Sequence, residues 1–206
     1  MNYGADASEG RADERLLAQF LDGDEQAFTQ LVHRYGHELF QFVARFVRDA
    51  AAADDIVQDT FIQVHNSAQG FDMSRRFRPW MFTIAANKAR DYLRTRGRRK
   101  EVAFAFDNND GDQTNFQDFL ADAGPAPEDE VEAEERRDAV RKIVARLPDH
   151  LREVLVLAYF HRFPYKEMAD ILEIPLGTVK SRLHAAVTKF AEAYKREMVE
   201  KTESGA

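Results

Sequence analysis

Four groups of side chains in this sequence have types and spacings that could do chemistry. His33 and His37 stand four apart, the interval that puts two imidazoles on one helical face, where they could hold zinc. "HRYGHE" lacks the glutamate beside the first histidine that a zinc-protease helix has, and no third ligand is readable, so solvated surface histidines fit better. Asp55, Gln58 and Asp59 share one side of "ADDIVQDTFIQV". That side is either a solvated acidic face or a docking surface for a basic helical partner. Thr83, Asn87, Arg90 and Arg94 recur at helical spacing inside "RFRPWMFTIAANKARDYLRTRGRRK". Such a face suits nucleic acid, with arginine on phosphates, asparagine or arginine on base edges and the interleaved aromatics available for stacking. The plainer reading is a solvated helix with a basic tail. Lys180, Ser181, His184 and Thr188 form a small, polar, basic face opposite Val179, Leu183, Val187, Phe190 and Tyr194.

The last group sits in "FPYKEMADILEIPLGTVKSRLHAAV". Two short helices are expected there, the first over about Tyr165–Leu172, broken by Pro175 and Gly177 before the second begins. This pattern is a helix-turn-helix whose second helix could enter a major groove, although a helical hairpin in a bundle fits the spacing equally well.

A net charge of −7 would argue against a polyanion partner if it were evenly spread. Instead residues 73–100 carry ten basic residues and only Asp91 acidic, whereas residues 101–135 carry twelve acidic residues and no basic one. Local patches govern nucleic-acid binding, so the acidic balance misleads. No cysteine is present, which removes disulfides and thiolate metal sites. No apolar run approaches membrane-spanning length and "MNYGADASEG" lacks a signal-peptide core, so a cytoplasmic protein is expected.

The elements that must position these groups are all helical. A first helix is expected over about Asp13–Leu21, with Leu16, Leu17 and Phe20 apolar. Asp24 caps a long second helix to about Val47, whose stripe is Phe28, Leu31, Val32, Tyr35, Leu39, Phe42, Val43 and Phe46. The third helix buries Val57, Phe61 and Val64. After a loop from Phe71 to Arg76, Pro79 suits the first turn of the basic helix, and Trp80, Met81, Ile84 and Ala85 can pack inward. Residues 101–135 are acidic and punctuated by Gly124, Pro125 and Pro127, as a linker would be. As a coil its ends would lie ~30–35 Å apart, and it could stretch to ~115 Å. Stripes at Val140, Ile143, Val144 and Leu147, and at Leu151, Val154, Leu155 and Ala158, would then cover the helix-turn-helix. The expected fold is all-α: two small helical domains over 13–100 and 136–200 joined by a long acidic linker over 101–135, the C-terminal one a four-helix module.

Taken together, the chain resembles a bacterial RNA polymerase sigma factor of the extracytoplasmic-function class. "ADDIVQDTFIQV" is similar to that family's core-polymerase-binding helix, "RFRPWMFTIAANKARDYLR" to its promoter-melting helix, and "LREVLVLAYFHRFPYKEMADILEIPLGTVKSRLHAA" to its upstream-reading module. The resemblance implies a non-catalytic specificity subunit without metal or cofactor. Asp55, Gln58 and Asp59, with nearby Phe61, would dock on the clamp helices of the largest polymerase subunit, and the flap of the second-largest subunit would be a further contact. The loop Phe71–Arg76 would receive a base flipped from the non-template strand, at an unstacking cost of a few kcal/mol. The resemblance assigns Phe71, Arg75, Arg76, Phe77, Arg78, Trp80, Asn87, Lys88, Arg90 and Arg94 to the minus-ten element. It assigns Thr178, Lys180, Ser181, Arg182, His184 and Lys189 to the minus-thirty-five element. Promoter DNA, both double-stranded and melted, would be a partner, and an anti-sigma factor is a further candidate. Departures from the family pattern are His65 in place of a common tryptophan, "LHAAV" in place of a common "LHRAR", and Pro164 where serine or threonine often caps. A stand-alone helix-turn-helix regulator is the alternative, but it leaves the basic helix over 78–100 without a use. A helical hydrolase using His33 and His37 is a third reading.

Overall fold

A computed structural model of the chain describes residues 6–103 and 130–204, with side chains over 12–96 and 137–196. Eight α-helices are described: α1 (Asp6–Leu21), α2 (Glu25–Val47), α3 (Ala50–Ser67), α4 (Phe77–Ala103), α5 (Glu130–Arg146), α6 (Asp149–Leu155), α7 (Tyr165–Leu172) and α8 (Leu176–Ser204). A single 3-10 turn, Ala68–Gly70, follows α3, and α6 continues into a π-helical turn, Val156–Phe160. No strand occurs among the described residues. They gather into two compact units, one of α1–α4 together with Lys166–Glu173, which holds nearly all of α7, and the other of α5, α6 and α8.

In the first unit α2 is the central element. Asp24 accepts from the amide of Gln26 at 3.0 Å and so starts the helix, and Arg48 closes it in the left-handed region at φ +61°. Leu31, Tyr35, Leu39, Phe42, Val43 and Phe46 are buried as their spacing predicts, while Phe28 and Val32 are half-buried. From α4, Phe77, Met81, Phe82, Ala85, Ala86 and Ala89 enter the same core. Phe82, which the sequence pattern does not place inside, lies 5.2 Å from Phe42 between ring centroids. Full burial of a side chain of that size is worth ~1.5–3 kcal/mol.

Three polar anchors lock the bundle. Asp13 of α1, buried, accepts from both the Tyr35 hydroxyl and Arg34 of α2. Burial, then the bond to Asp13, raises the Tyr35 hydroxyl above its ordinary range. Asp49 caps α3 through the amide of Ala52 and also accepts from the Tyr92 hydroxyl at 2.8 Å and from Arg96 of α4. Arg78 of α4 pairs with Glu38 of α2 and lies over the Phe82 ring.

In the second unit, Arg152 of α6 is wholly buried and turns the α5–α6 corner. Its guanidinium donates to the Leu147 carbonyl at 2.7 Å and to Asp149 at 2.5 Å, closing the carbonyl end that follows α5. Ala139, Ile143 and Val144 of α5, Leu147 just after it, and Leu151, Val154 and Leu155 of α6 are buried; Val140 and Ala158 are only half-buried.

Several element boundaries differ from the sequence reading. α1 starts at Asp6 rather than near Asp13, and α4 runs three residues into the expected linker. α5 begins at Glu130, six residues before the expected domain start, because "EVEAEERR" is rich in strong helix formers although it carries no apolar stripe. The remainder of the expected linker, 104–129, lies outside the described residues. On α3 the buried stripe is Ala53, Ile56, Thr60, Phe61 and Val64, so Val57 is displaced to a half-buried position by its neighbour Ile56. On α8, Ala186 is buried and Val187 is exposed, because 179, 183, 186 and 190 continue one helical face and 187 falls a further 100° around it.

Candidate nucleic-acid interface

Asp55, Gln58 and Asp59 are all exposed on α3, one and two helical turns from Ile62, which is 58% exposed. Phe61 does not join them. It is buried at 8% exposure in the unit's own core, so the apolar contribution to this face comes from Ile62. The spacing 55, 58/59, 62 carried that signal in the sequence. Asp55 and Asp59 also line a cleft of about 360 Å³ with Ala52 and Ile56 of α3 and Lys88, Asp91 and Tyr92 of α4. Lys88 is thereby placed with the α3 carboxylates, not with the exposed Asn87 and Arg94.

On α4, Asn87 and Arg94 are exposed and Thr83 and Arg90 half-exposed, one per turn along one side. Asn87 accepts from Arg90 at 2.5 Å, and Arg94 pairs with Asp91. The face thus holds an amide and two guanidinium groups already aligned in a row, the donor set that suits phosphates and base edges.

The loop between the 3-10 turn and α4 is more ordered than its composition suggests. Phe71 donates its amide to the Ala68 carbonyl and packs 4.6 Å from the Trp80 ring. Asp72 accepts from the Ser74 amide at 2.9 Å, and its carbonyl accepts from the Arg75 amide. The Ser74 hydroxyl and amide hold the Asp72 carboxyl below the usual range. Met73, Ser74, Arg75 and Arg76 are exposed. Phe71 and Phe77, which the resemblance assigns to the minus-ten element, are buried at 8% and 0% exposure, each in an aromatic cluster with Trp80. Trp80 is half-exposed. Arg78 is half-buried and committed to Glu38.

At the other end of the chain, Glu173 sits at φ +55° and ends α7, and the Pro175 carbonyl accepts from the amides of Thr178 and Val179 to start α8. Lys180, Ser181, His184 and Lys189 are exposed, with Thr178 and Arg182 half-exposed. Val179 and Leu183 anchor the opposite side. Ser181 donates to the Thr178 carbonyl and Thr188 to the His184 carbonyl. The first turns of α8 therefore project lysine, hydroxyl and imidazole from one rigid surface. His33 and His37 are exposed on α2, His37 beside Gln41 at 3.0 Å, and no cluster of three metal-ligating side chains occurs among the described residues.

Comparison with known proteins places this arrangement. The sigma-70 region 2 family model matches residues 31–99, and the sigma-70 region 4 model matches residues 137–190. The ECF RNA polymerase sigma factor SigW of Bacillus subtilis is 32% identical over 171 residues, covering 83% of this chain and 90% of its own length. The RNA polymerase sigma-H factor of Pseudomonas aeruginosa is 32% identical over 84% of this chain and 89% of its own. Among solved structures, CnrH in complex with the cytosolic domain of CnrY superposes with a TM-score of 0.64 at 28% identity, over 90% of this chain and 98% of that one. The sigma factor RpoE of Bartonella quintana, in complex with the anti-sigma factor NepR, shares the fold at TM-score 0.63 and 24% identity, over 82% of this chain and 96% of that one. The chain belongs to the sigma-70 family of RNA polymerase sigma factors, within its ECF group. It is a DNA-binding transcription-initiation factor that works with core RNA polymerase. No described helix is long and apolar enough to cross a membrane.

Proposed function

We propose a division of labour between the two units. The first docks on core polymerase through Asp55, Gln58 and Asp59 of α3, with Ile62 as its apolar centre and the Lys88 cleft at its border. Its α4 face (Thr83, Asn87, Arg90 and Arg94) and the loop arginines Arg75 and Arg76 engage the minus-ten element and its melted strand. The helix-turn-helix reads the minus-thirty-five element, with Lys180, Ser181 and His184 towards bases and Thr178, Arg182 and Lys189 towards the backbone. The acidic segment over 104–129 joins the two as a tether. The protein performs no catalysis itself and acts in the cytoplasm, and an anti-sigma factor is a further candidate partner, as for the Bartonella quintana RpoE solved in complex with NepR.

The observation that carries this reading is the separation of charge within one small unit. Exposed carboxylates stand on α3 and an aligned amide–arginine row on α4. A partner with basic helices and a partner with phosphates are then held side by side. Co-purification with core polymerase tests it. Wild-type protein should be retained by core and a variant reversed at Asp55 and Asp59 should not, with helical content unchanged. Equal retention of both would move the docking surface elsewhere.

A further inference from the structure

α1 lies outside the segment matched by the region 2 family model, which begins at residue 31. Yet it reaches the loop that the proposal above gives to the melted strand. Glu14 of α1, 63 residues away in sequence, accepts from the backbone amide of Phe77 at 2.6 Å. Phe77 is the first residue of α4 and directly follows Arg75 and Arg76. Its amide is one of the four that a helix start leaves without an internal partner. The contact is therefore a cap supplied by a distant helix. It is braced from behind, because the adjacent Asp13 is buried and bound to Tyr35 and Arg34 of α2. The other end of the loop is fixed by Phe71 against Trp80 and by the Asp72 turn.

We infer that Glu14 is a positioning residue for promoter opening, setting where Arg75 and Arg76 meet the melted strand by holding the amide of Phe77. The inference rests on the assignment of the loop to that strand. With both ends of the loop held, the exposed stretch from Met73 to Arg76 keeps one path, and little ordering is left to be done when DNA arrives. Without Glu14 the first turn of α4 loses its cap and the arginine pair loses its fixed starting point.

The test uses full-length protein with core polymerase and two probes. One is a duplex promoter mapped for this protein that carries 2-aminopurine in the minus-ten element. The other is an oligonucleotide of that promoter's non-template strand. Glu14→Ala should weaken strand binding and duplex opening roughly tenfold, in line with loss of a helix cap, while affinity for core stays at the wild-type level. Glu14→Gln, which keeps an acceptor oxygen at the same reach, should restore most of both. A role confined to stability would instead lower core affinity and strand affinity together. Should Glu14→Ala lose core affinity, Glu14→Asp decides in its place: one methylene shorter, it keeps the charge but withdraws the oxygen from Phe77, and strand affinity should fall while core affinity holds. Wild-type strand affinity in Glu14→Ala, or no recovery in Glu14→Gln, overturns the inference. Substituting Arg75 and Arg76 by alanine separates it from the reading beneath. If that change leaves strand affinity intact, the loop assignment has failed. If it weakens binding and Glu14→Ala does not, the positioning role alone has failed.

Discussion

Lys180 and Glu173 sit seven residues apart in the helix-turn-helix and do different work. Lys180 is exposed at the start of α8, where a side chain that reads a base edge must be. Lys180→Ala should cost ~1–3 kcal/mol of binding at the preferred upstream sequence and little at others. Equal loss on every sequence, measured by competition binding of holoenzyme, would make it a phosphate contact. Glu173 is held at φ +55°, a conformation that costs a residue with a Cβ more than it costs glycine. Glu173→Gly should therefore stabilise the protein by ~0.5–1 kcal/mol in urea unfolding, the relieved strain outweighing the added freedom of the unfolded chain. A fall in stability would mean that the turn tolerates glutamate without strain. Some of the site was legible at this scale and some was not. Asp55, Gln58, Asp59, Lys180 and His184 are exposed as their spacing suggested. The burial of Phe71 and Phe77 is not legible locally, because an aromatic beside arginines looks the same whether it waits for a base or fills a core. Their burial depends on Trp80, whose position no local pattern reveals.

Asp49, the cap of α3, ties that end of the helix to Tyr92 and Arg96 of α4, and that end should respond to acid. The Asp49 carboxyl is kept below its ordinary range first by the amide of Ala52 and next by the Tyr92 hydroxyl. A group depressed on folding stabilises the native state above its unfolded value, and that share is lost as pH falls through the lower, folded value. Asp49→Asn should thus lower stability at pH 7 and lose less than wild type between pH 5 and the acid limit, as followed by urea unfolding. Parallel acid profiles would show that the cap carries no charge-dependent share. Replacing Asp49 by alanine should cost ~0.5–2 kcal/mol at neutral pH. The helices were legible wherever a stripe persists, as on α2, whose residues alternate between core and solvent over six turns. Boundaries were missed where helix propensity acts without a stripe, as at the start of α5. The one-position error on α3 arose because Ile56 and Val57 are both apolar and only packing decides which one enters. Glu14 was invisible for a different reason: its partner is 63 residues away and is a backbone amide, which has no signature in a side-chain pattern.

At the scale of the whole molecule, the proposed function puts two DNA-reading surfaces and one polymerase-docking surface in a chain whose overall charge is acidic. Sequence order alone was enough to name the family, because three segments recur in one order. The assignment of each surface to its promoter element is the central claim, and promoter selection by holoenzyme tests it most directly. Core polymerase carrying wild-type protein, Lys180→Ala, or a variant with Arg75 and Arg76 changed to alanine would transcribe a library randomised over both promoter elements. The transcripts would then be read for sequence preference. The account predicts that Lys180→Ala relaxes preference only in the upstream element, and that the loop variant relaxes it only in the minus-ten element. If both variants alter the same element, or if preferences survive both changes intact, the division of labour between the two units is contradicted.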